Sequence, residues 1–350
     1  MSAPGDTEGP KPEKVTAQDV ARAAGVSRSA VSRVYTPGAS VSEKTAKKVR
    51  AAAETLGYRP NVLARSLITG RSRMIGLVVA YLENYFYPEA LEKFSKALQA
   101  EGYHVLIFMA SQTAGNIDDV IDEILDYQVA GIIAASVAMS SNLATRCRAL
   151  GVPVVLFNRA QDMSGVGAIT SDNFSGGREI ARFLLAGGHE RVGYIAGWEG
   201  ASTQRDREAG LMAGLAEGGA QLFARGQGDF HADRARVAAR KMFAERDRRP
   251  DAVFVANDHM AFAVMDVLRF ELGLSVPEDV SVVGFDDVPP AAWPAYALTT
   301  ARQRANLMVE RTVATLLDQI ETPGVAPVSE AIEAPLVVRR SARIPQGWTT

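Results

Sequence analysis

From Met74 to Phe285 the chain alternates short, unbroken apolar runs with longer stretches of helical periodicity. The runs MIGLVVA (74–80), HVLIFM (104–109), AGIIAAS (130–136) and VPVVLF (152–157) lack the polar alternation of half-exposed strands. They therefore predict strands covered on both faces, as in parallel sheets. Helices are predicted between them near 88–101, 116–128 and 141–150. The cycle then restarts with a helix near 174–187, RVGYIAG (191–197), helices near 204–217 and 232–246, DAVFVAN (251–257), a helix near 258–272 and VSVVGF (280–285). Two such series predict two doubly wound lobes. A helix over 305–320 and a strand-like tail over 330–338 follow, and their position implies that the chain crosses back between the lobes.

The first 70 residues have a different texture. Residues 1–13 are rich in Pro, Gly and Glu and predict a disordered tail. Thr16-Ala-Gln-Asp19 reads as a helix N-cap with an acid three residues on, Val20, Ala21 and Ala24 form one apolar face, and Gly25 is the stop. Ser27 caps a second helix reaching Tyr35, with Val31 and Val34 facing inward. Ser42 caps a third, with Val49, Ala52, Ala53 and Leu56 at helical spacing and Gly57 closing it. After Pro60 a short helical stretch, Asn61–Thr69, ends at Gly70. The expected organisation is a tail (1–13), an all-α headpiece (14–60), a hinge and linker (61–72) and a two-lobed body (73–350). Lobe 1 is expected over 73–170 and 302–330, and lobe 2 over 171–301 and 331–350.

Composition narrows the classes. At 350 residues the chain is too long for one core, and 47% hydrophobic with 22% charged residues is an ordinary globular balance. No apolar run approaches the ~18–20 residues of a membrane helix. The N-terminal MSAPGDTEGPKPEK has no apolar core, so no secretory signal and a cytoplasmic protein are expected. The single cysteine, Cys147, excludes an internal disulfide and reads as a buried, inert thiol. The net charge of −2 hides an asymmetry: Lys14–Arg73 holds 12 basic and three acidic side chains, whereas the residues after Arg73 carry 25 basic and 34 acidic ones. A small cationic segment on an acidic body points to a polyanionic partner for that segment alone.

Residues 16–35 fit a helix-turn-helix. Two closely crossing helices need a small residue at the contact (Ala21), a turn residue that tolerates positive φ (Gly25), and branched apolar residues pinning the second helix (Val26, Val31, Val34). The outward face of that helix then offers Arg28, Ser29, Ser32 and Arg33 to bases and phosphates. VTAQDVARAAGVSRSAVSRV, VSEKTAKKVRAAAETLGYRPNVLARSL, SDNFSGG, VANDHMA, VSVVGFDD and LTTARQ together resemble the LacI/GalR family of bacterial transcription regulators, over about residues 14–340.

The resemblance implies an α/β fold: an N-terminal helix-turn-helix headpiece plus two doubly wound parallel-sheet lobes resembling periplasmic sugar-binding proteins. It implies a homodimer on pseudo-palindromic double-stranded operator DNA. Arg28, Ser29 and Arg33 would read the major groove, where arginine suits guanine. Thr16, Ser27 and Tyr58 would contact phosphate, although Thr16 and Ser27 also serve as caps. Asn61–Leu67 would be a hinge helix. The helical stretch Asn61–Thr69, about nine residues long, would fold only against its twin, with Asn61, Ala64 and Leu67 at the minor groove and Leu67 as a wedge. A plain linker helix is the alternative. The closing RRSARIPQGWTT has no leucine heptad, so a dimer rather than a tetramer is implied.

By family position an effector, a sugar or sugar acid, would lie between the lobes against Tyr85, Phe86, Asn158, Asp172, Thr203, Arg207, Phe230, Asn257, Asp286 and Gln303. Asn257 and the neighbouring Asp258 could equally cap a helix, Asp286 could belong to a turn, and Trp293 could line the cleft mouth or a dimer face. No phosphate loop, dinucleotide fingerprint or nucleophile elbow occurs. His104, His189, His231 and His259 show no metal-ligand spacing, and His189, after two glycines, suits a helix end as a cation. No enzyme activity, cofactor, metal or membrane partner is therefore expected. A solute-binding protein or a sugar-processing enzyme on the same two lobes is the rival reading, opposed by the cationic headpiece.

Overall fold

The computed structural model describes residues 15–36, 38–59, 72–110, 117–137, 139–161 and 165–349. They form two separate compact units that divide between Ser72 and Arg73. The expected tail lies outside the described residues, as does the hinge apart from Ser72, with Asn61, Ala64 and Leu67 in it.

The described residues of the first unit form three helices: α1 (Ala17–Ala24), α2 (Arg28–Val34) and α3 (Glu43–Thr55). Each starts at a side-chain cap. Thr16 and Asp19 form a reciprocal capping box, Ser27 Oγ accepts from the Ala30 amide at 3.2 Å, and Ser42 Oγ accepts from the Thr45 amide at 3.2 Å. Gly25 ends α1 at φ 65°, which turns the chain sharply enough for α2 to cross α1. Val20, Ala21, Ala24, Val31, Val49 and Ala53 are the shared core.

The second unit holds two six-stranded sheets. The first contains β1 (Met74–Val79), β2 (His104–Met109), β3 (Gly131–Ala135), β4 (Val154–Phe157), β5 (Gly167–Ser171) and β11 (Ser329–Ile332), in the order β11-β5-β4-β3-β1-β2, all parallel. The second contains β6 (Val192–Ala196), β7 (Ala224–Gln227), β8 (Ala252–Val255), β9 (Ser281–Asp286), β10 (Thr299–Arg302) and β12 (Leu336–Val337), in the order β12-β10-β9-β8-β6-β7. Only β12 runs antiparallel. The two orders match, and each places a topological switch point between its first and third strands, where ligands bind in doubly wound sheets.

Helices α4 (Phe86–Ala100), α5 (Ile117–Asp126), α6 (Ser141–Ala149), α7 (Asn173–Ala186), α8 (Ser202–Glu217), α9 (Ala232–Met242), α10 (Asp258–Asp266) and α11 (Ala305–Glu321) cover the sheets. Strands β5, β7 and β10 carry polar residues that break the apolar pattern, so periodicity does not mark them as strands. The tail expected as one strand over 330–338 is two: β11 joins the first sheet and β12 the second. The last crossing therefore falls after Ile332, two residues later than expected.

Candidate functional site

On the headpiece, Ser27, Arg28, Ser29, Ser32 and Arg33 are all exposed, while Val31 is buried. Helix α2 thus shows solvent one polar, cationic face. Ser27 Oγ also lies 2.9 Å from Ser29 Oγ. Thr16 is exposed beside its cap, and Tyr58 is half-buried with its ring 6.3 Å from that of Tyr35.

In the body, the C-terminal ends of β1, β4, β6, β8 and β9 converge on a tight, partly open cleft whose free volume of about 10 Å³ is the size of one water. Lobe 1 supplies Tyr81, Asn84, Tyr87, Asn158 and Arg159, and lobe 2 supplies Thr203, Arg207, Phe230, Asn257 and Asp286. Backbone in the left-handed region aims several of them: Asn158 at φ 69°, Phe230 at φ 63° and Asp286 at φ 130°. Such conformations in non-glycine residues are costly and gather at functional sites.

The network is anchored by Arg207, 2% exposed. Its Nε donates to Asn173 Oδ1 at 2.8 Å, Nη1 to the Ala256 carbonyl at 2.5 Å, and Nη2 lies 3.4 Å from Asp286 Oδ1, while the guanidinium stands 3.7 Å from the Phe285 ring centroid. Asp286 accepts in addition from Gln303 Nε2 at 2.7 Å and from Asn84 Nδ2 at 2.9 Å. Burial raises the Asp286 carboxyl, and Arg207 acts against that shift. The Asn84 bond joins the lobes, as does that from the Ala160 amide to Ser202 Oγ at 3.0 Å. Arg159 of lobe 1 lies 5.5 Å from the ring of Trp198 and 5.9 Å from that of Phe230, both in lobe 2.

The pocket brings together Asn158, Thr203, Arg207, Phe230, Asn257 and Asp286 of the expected set. Gln303 stands behind Asp286, its Oε1 accepting from Ser171 Oγ at 2.8 Å. Besides Gln303, three expected residues are not in the lining. Tyr85 precedes α4 and is 49% exposed; Phe86 is buried in lobe 1, stacked 5.9 Å from Phe157; Asp172 spends its carboxylate capping α7, where it accepts from the Ser175 amide at 2.9 Å. Phase along the turn explains the first two: Tyr81, Asn84 and Tyr87 face the pocket, so the residues between them cannot. Trp293 is 51% exposed and is not among the lining residues.

Sequence reasoning missed Tyr81, Asn84, Tyr87 and Arg159. The available signal was the polar-aromatic cluster YLENYFY directly after the first strand, and the Asn-Arg pair directly after the fourth. Asn173, inside SDNFSGG, was also missed as the acceptor that orients Arg207.

Comparison with known proteins adds two family matches: residues 16–61 match the bacterial regulatory proteins of the lacI family, and residues 181–342 match the periplasmic binding protein-like domain. The transcriptional repressor PurR of Pectobacterium carotovorum is 31% identical over 332 residues, covering 93% of this chain and 96% of that protein. The chain belongs to the LacI family. The PurR repressor of Photobacterium profundum is 29% identical over 334 residues, covering 94% of this chain and 98% of that one. A lac repressor dimer bound to operator and the anti-inducer ONPF superposes with a TM-score of 0.84 at 29% identity, covering 94% and 99% of the two chains. The regulator CelR in complex with cellobiose superposes at 0.70 with 30% identity, covering 94% and 100%. This LacI-family chain is a DNA-binding transcriptional repressor and not an enzyme.

Two side chains of this LacI-family body behave differently from expectation or add to it. His189 is buried, with Nδ1 3.3 Å from Asp251 Oδ1. Burial lowers its pKa, so it is neutral at pH 7 and does not serve as a helix-end cation. Asp258 is wholly buried at the first turn of α10, accepting from Thr300 Oγ1 at 2.6 Å and from the Val288 amide at 3.0 Å. Burial, reinforced by the nearby Asp286, pushes its carboxyl up from 3.8 to about 8. Cys147 is buried, and burial raises its thiol to about 11. Among the described residues no cluster of metal-ligating side chains occurs, and no helix is long and apolar enough to cross a membrane.

The Asp258 shift gives a pH prediction. A carboxyl that binds its proton more tightly in the folded state contributes stability that is full below its unfolded value and is lost as pH rises through its folded value. Stability should therefore fall between the ordinary 3.8 and about 8 through this group, and Asp258→Asn should flatten that slope. Denaturation midpoints across that range test it; an unchanged slope in the variant would contradict the assignment.

Proposed function

We propose that this repressor binds a pseudo-palindromic operator as a homodimer in the cytoplasm, and that a small hydroxylated metabolite, a sugar or sugar derivative, sets its grip by occupying the pocket between the lobes. The observation that carries the reading is the pocket itself. The lobes meet through few polar bonds, Asn84 to Asp286 and Ala160 to Ser202, around a space whose lining keeps polar atoms without partners: Asn158 Oδ1, Asn257 Nδ2 and two nitrogens of Arg159. Buried polar atoms left unpaired are costly, and a ligand rich in donors and acceptors removes that cost only when the lobes are closed on it. A ligand with such a preference shifts the balance between lobe geometries, which is what control of DNA affinity needs. The cellobiose complex of CelR, at 30% identity, supports the sugar class for a relative.

On the DNA side, the exposed cationic face of α2 supports major-groove contact by Arg28, Ser29 and Arg33, with Ser32, Thr16, Ser27 and Tyr58 toward the backbone. Selection of a preferred duplex from a random pool, followed by titration in rising salt, tests this. Affinity should fall about 10³-fold or more between 50 and 200 mM salt if roughly six or more phosphates are engaged. Arg28→Ala should cost about 5–150-fold on the preferred duplex and relax its sequence at one position. A full-length protein that shows no preference over random competitor would overturn the proposal.

A further inference from the structure

We infer that the ligand of this pocket is an anion, a hydroxylated acid whose carboxylate is held by Arg159; this deepens the proposed function and rests on its placing of the ligand between the lobes. Arg159 is 4% exposed, follows the end of β4 and lines the pocket. Its Nε and Nη1 have no hydrogen-bond partner among the described residues. Among the described residues no carboxylate pairs with it, and the ring faces of Trp198 and Phe230 lie 5.5 and 5.9 Å from its guanidinium. Aromatic faces offset part of the desolvation of a guanidinium, but they do not replace the directed hydrogen bonds its N–H groups can donate.

Arg207 is the other guanidinium in the lining, and it is already committed. Its donors go to Asn173, to the Ala256 carbonyl and to Asp286. Those two cations face one lining carboxylate, Asp286, so the pocket has an excess positive charge. A buried cation without a counter-ion is strongly unfavourable, and a site that keeps one invites an incoming anion. The unpaired Asn158 Oδ1 and Asn257 Nδ2 stand in the same lining and suit the hydroxyls of the same ligand. The planar guanidinium matches a carboxylate or a phosphate, and the small volume of the pocket favours the carboxylate.

The test is calorimetric titration of the full-length dimer with D-gluconate, D-galacturonate and D-glucose 6-phosphate, each against its neutral counterpart, D-glucose or D-galactose. At least one anion should bind about 10–150-fold more tightly than its neutral partner, and Arg159→Met should remove that advantage. Arg159→Lys, which keeps the charge but not the planar donors, should retain part of it. Preference for the phosphate over both carboxylates would keep the anion and overturn the carboxylate. The ligand-free Arg159→Met protein should melt at or above wild type, by up to about 5 °C, because a buried unpaired charge has gone. Three results overturn the inference: a neutral sugar bound equally by wild type and Arg159→Met, no anion bound at about 50 mM, or a ligand-free variant that melts well below wild type. The first leaves the proposed function standing, because the neutral sugar would then be the effector. The third would make Arg159 a clasp between the lobes.

Discussion

Arg207→Met should destabilise the two-lobed body by about 3–5 kcal/mol, the usual loss when one partner of a buried ion pair is removed. Arg207 and Asp286 side chains are each 2% exposed, so neither charge is relieved by water. Methionine keeps the contact with the Phe285 ring but strands Asp286, Asn173 Oδ1 and the Ala256 carbonyl. Urea denaturation read by tryptophan fluorescence measures the loss. Asp286 can escape by taking up a proton, since burial already raises its carboxyl, so the deficit should shrink as the solution is made acidic. Arg207→Met combined with Asp286→Asn should recover part of the stability, giving a coupling that a double-mutant cycle resolves. Loss below about 1 kcal/mol would show that the pair contributes little and that Arg207 is held by packing alone.

The second large effect is at a glycine. Helices α7 and α8 pack against each other closely enough that backbone meets backbone: a methyl at Gly210 would stand 2.0 Å from the Phe174 carbonyl oxygen, and one at Gly177 would stand 2.2 Å from the Arg207 carbonyl oxygen. Gly210→Ala gains about 1 kcal/mol of helix propensity, yet the clash is with backbone and can be relieved only by parting the helices. A net loss of about 2–3 kcal/mol is expected. The same pair carries Asn173, Thr203 and Arg207, so ligand affinity in the pocket should fall together with stability. Met212→Ala, at a position 45% exposed on α8, should stay within about 0.5 kcal/mol of wild type and serves as the control. A Gly210→Ala protein as stable as wild type would show that the helices have room to move apart.

Much of this molecule could be read from short windows of sequence. The caps Thr16, Ser27 and Ser42 and the stop at Gly25 each depend on residues within four positions of one another, and each appears where the spacing places it. Buried strands such as β1, β3, β4 and β9 declare themselves by unbroken apolar runs. The short strands β5, β7 and β10 do not, because polar residues interrupt them and pairing with neighbouring strands supplies their stability.

Sequence alone therefore determined the helical headpiece with its cationic face, the two parallel-sheet lobes and the polar residues at several strand ends. All of these follow from periodicity, capping and charge, which act over a few residues. Tertiary structure alone decided which polar groups share the pocket, that Arg207 is occupied by protein partners, and that Arg159 Nε and Nη1 have none among the described residues. Asn84 and Asp286 are separated by 202 residues, and Arg207 and Asp286 by 79. Whether a buried charge has a partner depends on which distant segments fold against it, and no local pattern in the chain records that.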